Sequence, residues 1–201
     1  MDDDNITPIY LVVVNLYPFE STIAKSGTTF ADAIEDIDIG GPAMLRSASK
    51  NFSRVAVVVD VDDYAAVIRE MADQDGALSS TTRYRLAVKA FEHVAAYDAA
   101  IANYLASLPR PEAEPNRFPS SLTLQFKKIE DMRYGENPHQ KGAIYSSPRG
   151  LGLNQLSGKQ LSYNNYVDIF SALQISKTFP KNIGTVIIKH GNPCLLYTSD
   201  A

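Results

Sequence analysis

Three titratable side chains invite a chemical reading first: Tyr17, Asp38 and Lys50. They fall within one stretch, which opens Val12-Val13-Val14-Asn15-Leu16-Tyr17-Pro18-Phe19. It closes Ile37-Asp38-Ile39-Gly40-Gly41-Pro42-Ala43-Met44-Leu45-Arg46-Ser47-Ala48-Ser49-Lys50-Asn51. A phenol, a carboxylate and an ammonium around one pocket can hold a polar ligand and move its protons. Gly40-Gly41-Pro42 predicts a tight turn into a helix, with Pro42 at the first helical position. Uncovered glycine N–H groups at that helix start would suit an anion or a polarised oxygen. Plainer readings stand beside these. Tyr17 can be a half-buried core aromatic, Asp38 a helix cap or turn residue, and Lys50 a solvated charge near a helix end.

Three further motifs lie toward the C-terminus. In Met132-Arg133-Tyr134-Gly135-Glu136-Asn137-Pro138-His139-Gln140, Arg133 can fork onto a phosphate or carboxylate, and Tyr134 can stack on a flat ring. Gly158-Lys159-Gln160-Leu161-Ser162-Tyr163-Asn164-Asn165 reads as a turn into a helix from about Tyr166 to Lys177. In Val186-Ile187-Ile188-Lys189-His190-Gly191-Asn192-Pro193-Cys194, an apolar strand delivers Lys189 and His190 at its end, where ligands of α/β sheets often sit. A histidine there can take a proton near neutral pH. The ordinary alternatives are a turn with surface polars, asparagines that cap a helix, and a satisfied polar pair at a strand exit.

The elements that must position these residues follow from pattern. The β-branched run at Val12 predicts a buried strand that stops at Pro18. Short helices are expected over Ser21–Lys25 and, capped by Thr28 or Thr29, over Phe30–Glu35. Val55-Ala56-Val57-Val58-Val59 predicts a second strand, buried on both faces and parallel to the first. Asp60 to Asp63 cap a helix with Tyr64, Val67, Ile68 and Met71 on its apolar side. A long helix starts near Thr81, with Ala87, Phe91, Val94, Tyr97, Ile101, Tyr104 and Leu108 as its stripe. His93 on that helix reads as structural. Strand, helix and strand in succession give an α/β class with a parallel sheet and crossover helices. Pro109, Pro111, Pro115 and Pro119, mixed with Glu112 and Glu114, read as a domain linker over 109–120.

Composition narrows the function classes. Of 201 residues, 45% are apolar and 21% charged, an ordinary globular balance. The net charge of −4 argues against a nucleic-acid surface. The single cysteine, Cys194, excludes an internal disulfide framework and CxxC metal sites, and fits a reducing, cytoplasmic setting. The acidic start lacks the basic and apolar regions of a signal peptide, and no apolar run reaches membrane-spanning length.

The segments Asn-Leu-Tyr-Pro-Phe, Ile-Asp-Ile-Gly-Gly-Pro and Arg-Ser-Ala-Ser-Lys-Asn closely resemble the inosine monophosphate (IMP) cyclohydrolase part of a bifunctional purine biosynthesis family. The three later motifs resemble the opening of its phosphoribosylaminoimidazolecarboxamide (AICAR) formyltransferase domain. The resemblance implies a methylglyoxal-synthase-like parallel sheet lacking its N-terminal strands, then the beginning of a cytidine-deaminase-like domain. It assigns 1–108 to the cyclohydrolase, 121–194 to the formyltransferase and 195–201 to a tail that does not match. It implies Lys50 as proton shuttle, with Asp38 and Tyr17 in the same pocket. Asn15, Ile39, Gly40 and Gly41 would bind the nucleotide. Arg133 and Tyr134 would contact AICAR, His190 would be the base and Lys189 its assistant, with Asn165 lining that pocket. The implied co-substrate is 10-formyltetrahydrofolate, whose site falls largely outside this chain. The implied ligands are AICAR, its formylated product (FAICAR) and IMP, the implied assembly is a homodimer, and no metal is required.

Two departures from the family pattern shape the expectations. The family's cyclohydrolase begins well before Val12, and its formyltransferase continues well past Cys194. The chain therefore reads as an incomplete copy with a foreign tail. Two alternatives remain: a catalytically dead purine-nucleotide-binding module, and an α/β domain that only packs against a partner.

Overall fold

The computed structural model describes residues 7–116, 118–147, 150–180 and 184–197. It comprises two compact units, Met1–Leu124 and Gln125–Ala201.

In the first unit, β1 (Leu11–Val13) and β2 (Ala56–Val58) pair in parallel, Val12 opposite Val57. β2 is buried at every position, as its continuous apolar run requires. Side chains alternate across a strand. Val55, Val57 and Val59 therefore meet Leu45, Ala90 and Val94 on one face, while Ala56 and Val58 meet Val67 and Leu86 on the other. The sequence predicted that β1 would be equally buried, and it is not. Leu11 and Val13 are exposed, because β1 pairs only with β2 among the described residues and so forms an open edge.

Three helices connect the strands. α1 (Phe19–Ile23) starts directly after Pro18. α2 (Phe30–Glu35) opens with a capping box between Thr29 and Asp32. α3 (Gly40–Lys50) begins two residues earlier than expected, so Pro42 is its third residue. The missing proline N–H still costs nothing, since first-turn N–H groups have no acceptor within the helix.

After β2, Asp60 caps a single 3-10 turn over Val61–Asp63, and α4 (Tyr64–Asp73) follows. Val67 is its buried residue, and Tyr64 and Met71 pack beside it. Ile68, expected in that stripe, lies about 100° further round the helix and is exposed. α5 (Ser80–Ser107) is the long helix, capped by Ser79. Leu86, Ala87, Ala90, Val94, Tyr97 and Ala99 are its buried residues, whereas Phe91 turns outward. A third cluster joins Phe19, Ala33 and Tyr97. Beyond the proline-rich stretch the chain comes back to α5, where Asn103 exchanges two hydrogen bonds with the backbone of Thr123.

The second unit holds two antiparallel pairs and one helix. β3 (Lys127–Asp131) pairs with β4 (Ala143–Ser146), and β5 (Thr185–Lys189) pairs with β6 (Asn192–Tyr197). α6 (Tyr163–Ser176) starts three residues earlier than expected, on a Ser162–Asn165 capping box. β6 carries Leu195 and Leu196 of the predicted tail opposite Ile187 and Val186. Residues 198–201 of that tail lie outside the described residues.

Candidate functional site

The corner after β1 is built by packing between distant segments. Phe19, just past Tyr17-Pro18, is fully buried and meets Tyr97 and Tyr104 of α5 edge-on at 6.3 and 5.7 Å. This anchors the chain and leaves Tyr17 itself half exposed. Asn15 is exposed next to it. The start of α3 abuts the same corner, because a Cβ added to Gly41 would come within 2.6 Å of a Leu16 methyl and 2.5 Å of an Asp38 carboxylate oxygen. Only glycine fits there without displacing one of them.

Asp38 does two things. Its carboxylate accepts the Gly41 N–H at 2.7 Å, and its own N–H donates to the Tyr97 hydroxyl at 2.8 Å. The glycine amides were predicted to be uncovered. Gly41 is not: the Asp38 carboxylate takes its N–H, a turn contact of the kind the plainer reading of Asp38 describes. Gly40 and Ile39 are exposed beside it. The Tyr97 hydroxyl donates onward to the Asp36 carbonyl at 3.1 Å, and the Asp36 carboxylate takes a short bond from the Thr22 hydroxyl. Burial pushes the Tyr97 phenol above its ordinary value, which keeps its donated proton in place.

Lys50 is not brought to this corner. It is the exposed last residue of α3, and the rise from Gly40 sets it about 15 Å further along the axis. Its position suits the ordinary role of a cation at a helix C-terminus.

Sequence reasoning missed a polar ladder on α5. Arg85, Lys89, His93 and Tyr97 recur every four residues, so each neighbours the next along the helix while the row winds about 40° round it per step. Arg85 and Lys89 reach the Asp63 carboxylate at 2.8 and 2.6 Å, and Lys89 reaches Asp60 at 2.7 Å. Burial works to raise Asp63, but the hydrogen bonds from Lys89 and Arg85 outweigh it and hold the group below its ordinary value. The Lys89 hydrogen bond likewise lowers Asp60, with a smaller contribution from His93. The signal in the sequence was the four-residue spacing of polar groups. The apolar stripe runs through the same row and shares Tyr97 with it.

In the second unit, α6 gathers all three late motifs. The Asn164 side-chain amide donates to the Glu136 carbonyl at 3.2 Å, and the Asp168 carboxylate accepts the Gly191 N–H at 2.7 Å. These two residues are one helical turn apart on the same face. The loop from Arg133 and the turn at His190 are therefore seated side by side. His190 and Gly191 both have positive φ, 53° and 72°, the two-residue turn that a tight hairpin prefers. Exposed Lys189 precedes them. The Arg133 guanidinium lies 5.0 Å from the ring centroid of Tyr134, so the two side chains form one stacked unit. Asn165 spends its side chain on Ser162 as a cap, which matches its ordinary reading.

A cavity of about 540 Å³ opens between Gly135, Glu136, Gln140 and Tyr163. Another of about 530 Å³ lies in the first unit near Lys25, Thr28, Phe30 and Tyr104, and none of the predicted site residues lines it. Among the described residues no three His, Cys, Asp or Glu side chains group as metal ligands, and no helix is long and apolar enough to cross a membrane.

These features define a mixed α/β protein with a small parallel sheet, whose polar motifs collect at two loop corners. Residues 48–200 match the model of the AICARFT/IMPCHase bienzyme family, and the chain belongs to that family. It is 51% identical over 197 residues to the bifunctional purine biosynthesis protein PurH of Acidithiobacillus ferrooxidans, covering 96% of this chain and 37% of the relative. It is 52% identical over 205 residues to PurH of Halalkalibacterium halodurans, covering all of this chain and 39% of the relative. The chain thus spans less than two fifths of the length of these relatives. It also resembles the crystal structure of ForH, with a TM-score of 0.45 and 39% identity over 51% of this chain and 53% of that one.

Proposed function

We propose that this chain carries part of the machinery for the last two steps of IMP synthesis. In the first step the amine of AICAR attacks the formyl carbon of 10-formyltetrahydrofolate. The new C–N bond forms, the bond to the folate nitrogen breaks, and the amine proton leaves to a base. In the second step the carboxamide nitrogen attacks that formyl carbon, the ring closes and water departs. The AICAR amine is a poor nucleophile because ring and carboxamide withdraw its electrons, so a positioned base matters.

One observation carries the reading. The loop that follows Arg133–Tyr134 and the turn that follows Lys189–His190, far apart in sequence, are both tied to the first half of α6, by Asn164 at the Glu136 carbonyl and by Asp168 at the Gly191 N–H. Arg133 and Tyr134 hold AICAR, His190 takes the amine proton, and Lys189 assists. Asn165 lines the edge of that pocket. In the first unit Asn15, Ile39, Gly40 and Gly41 hold the purine nucleotide, and Lys50 shuttles the proton of ring closure with Asp38 and Tyr17 as its catalytic partners. The units correspond to a cyclohydrolase of methylglyoxal-synthase type and the start of a deaminase-like formyltransferase. The linker lies near 109–120. The working protein is a cytoplasmic homodimer whose folate site is completed by residues beyond this chain. No metal takes part.

Isothermal titration of this chain with AICAR tests the proposal. Arg133→Ala should weaken binding about tenfold, the scale of a charge-assisted contact, and an unchanged affinity would remove Arg133 from the site.

A second reading is favoured by the position of Lys50. About 15 Å of helix between Lys50 and Gly40 suits a corner that binds a purine nucleotide without closing its ring. Adding FAICAR separates the two. Turnover to IMP that Lys50→Ala abolishes supports catalysis, whereas IMP binding without turnover supports the binding module.

A further inference from the structure

We infer that Tyr97 is a positioning residue for the nucleotide corner of the first unit, one that sets both of its halves from the same helix. The inference rests on the reading of Asp38 and Tyr17 as parts of a purine-nucleotide site. Its basis is that one side chain touches both halves by different means. The ring of Tyr97 packs edge-on against Phe19 at 6.3 Å, which fixes the segment carrying Tyr17. The hydroxyl of Tyr97 accepts the Asp38 N–H at 2.8 Å and donates to the Asp36 carbonyl at 3.1 Å, which fixes the turn carrying Asp38. Asp38 in turn holds the Gly41 N–H at 2.7 Å.

A continuous path therefore runs from α5 through Asp38 to the first turn of α3. Three observations make this path stiff. Tyr97 is 8% exposed, so water does not compete well for its hydroxyl. Gly41 leaves no spare room, since an added Cβ would strike both Asp38 and Leu16. The Asp36 carboxylate is itself held by the Thr22 hydroxyl, so the turn is tied on its other side to α1. Removing only the hydroxyl of Tyr97 should free Asp38 while leaving the aromatic packing, and so Tyr17, where it is. The two contacts can thus be separated by a single oxygen atom.

Tyr97→Phe tests this on the chain as it stands. The ring is retained, so the melting midpoint should fall by only a few degrees, the cost of the two hydrogen bonds of one hydroxyl. Hydrogen exchange at the Asp38 amide should quicken, the Gly41 amide resonance should shift, and the Kd for IMP should rise about fivefold. In an Asp38→Ala background the same substitution should add almost nothing to the loss of affinity, because the path is already cut. A residue that only supports the fold would give losses that multiply in the double variant. Multiplying losses, or unchanged Asp38 and Gly41 amides in Tyr97→Phe, would overturn the inference. If the parent chain does not bind IMP, the nucleotide reading of this corner fails, and the exchange measurement alone then decides whether Tyr97 sets Asp38.

Discussion

Asp38 is held by a phenol from α5, a helix with six buried residues, while Gly191 is held by a carboxylate from α6, whose one buried residue is Tyr166. Both units seat their polar loops on a single helix, but the helices are fixed by different means. α5 is clamped by apolar contact on both faces of β2. Among the described residues of the second unit, the buried apolar side chains are Ile144 and Tyr166. There the helix relies more on polar ties, such as the Tyr166 hydroxyl bond to Glu130 at 2.8 Å. A site resting on a packed core should tolerate loss of one polar tie better than a site assembled from polar ties alone.

The largest effect should come from the first unit's core. Leu45 is completely buried between α3, β2 and α5. Leu45→Ala should cost about 3 kcal/mol, seen in denaturant unfolding of the first unit. Resonances of the second unit should keep their stability, and a matching loss in both would erase the contrast drawn here.

The intermediate effect concerns the ion network of Asp60, Asp63, Arg85 and Lys89. Asp60 and Asp63 titrate below their ordinary value of 3.8 in the folded chain. The unfolded chain therefore binds more protons in acid. The stability they add is complete above about pH 4 and drains away as pH falls through their depressed folded values. On the alkaline side, burial opposes the charge on Lys89, yet its bonds to Asp60 and Asp63 raise it above 10.5. Its share is present below that value and is lost as pH rises through the folded one. Asp63→Asn should cost about 1 to 2 kcal/mol near neutrality, because Arg85 and Lys89 stay partly solvated. It should also flatten the acid limb of a melting-temperature profile, and an unaltered limb would rule the network out as its source.

The smallest effect lies at α6. Asp168→Ala leaves the Gly191 N–H without its acceptor and should cost about 1 kcal/mol. The sharper readout is local: amides at His190 and Gly191 should exchange faster while those of β2 do not change. If the His190 turn keeps its protection, the polar tie is not what holds it.

The sequence displayed the parts that repeat. β2 was visible because its β-branched run matches a strand covered on both faces, and α5 because its apolar spacing lasts for many turns. Capping chemistry at Thr29 was equally plain, whereas α6 is capped by Ser162, with Asn165 as its box partner, rather than by the asparagines alone. The edge character of β1 was hidden, since a run such as Val12-Val13-Val14 looks alike whether or not a neighbour covers it. β3 and β4 were missed because Lys127–Asp131 has no apolar alternation. At the candidate site the expected gathering was of Tyr17, Asp38 and Lys50. The close approach of Leu16 and Asp38 to Gly41 was not foreseen, nor was the occupation of the Gly41 N–H by Asp38, because a carboxylate three residues ahead serves equally as ligand or cap. Tyr97 escaped notice for a related reason. On a helical stripe it passes for core, and its hydroxyl partner sits 59 positions away. The distance of Lys50 from that corner was already implied by the expected helix from Pro42 to Asn51, whose rise carries Lys50 away from the glycine turn.

The ladder on α5 has one more consequence, for length rather than composition. Arg85 and Lys89 hold the carboxylates at Asp60 and Asp63 and Tyr97 holds the Asp36–Asp38 turn, and one helix serves both only while the spacing between Lys89 and Tyr97 is kept. One residue inserted between Lys89 and Tyr97 would rotate everything beyond it by about 100°, swinging the phenol off the Asp36–Asp38 turn while the carboxylates at Asp60 and Asp63 kept their partners.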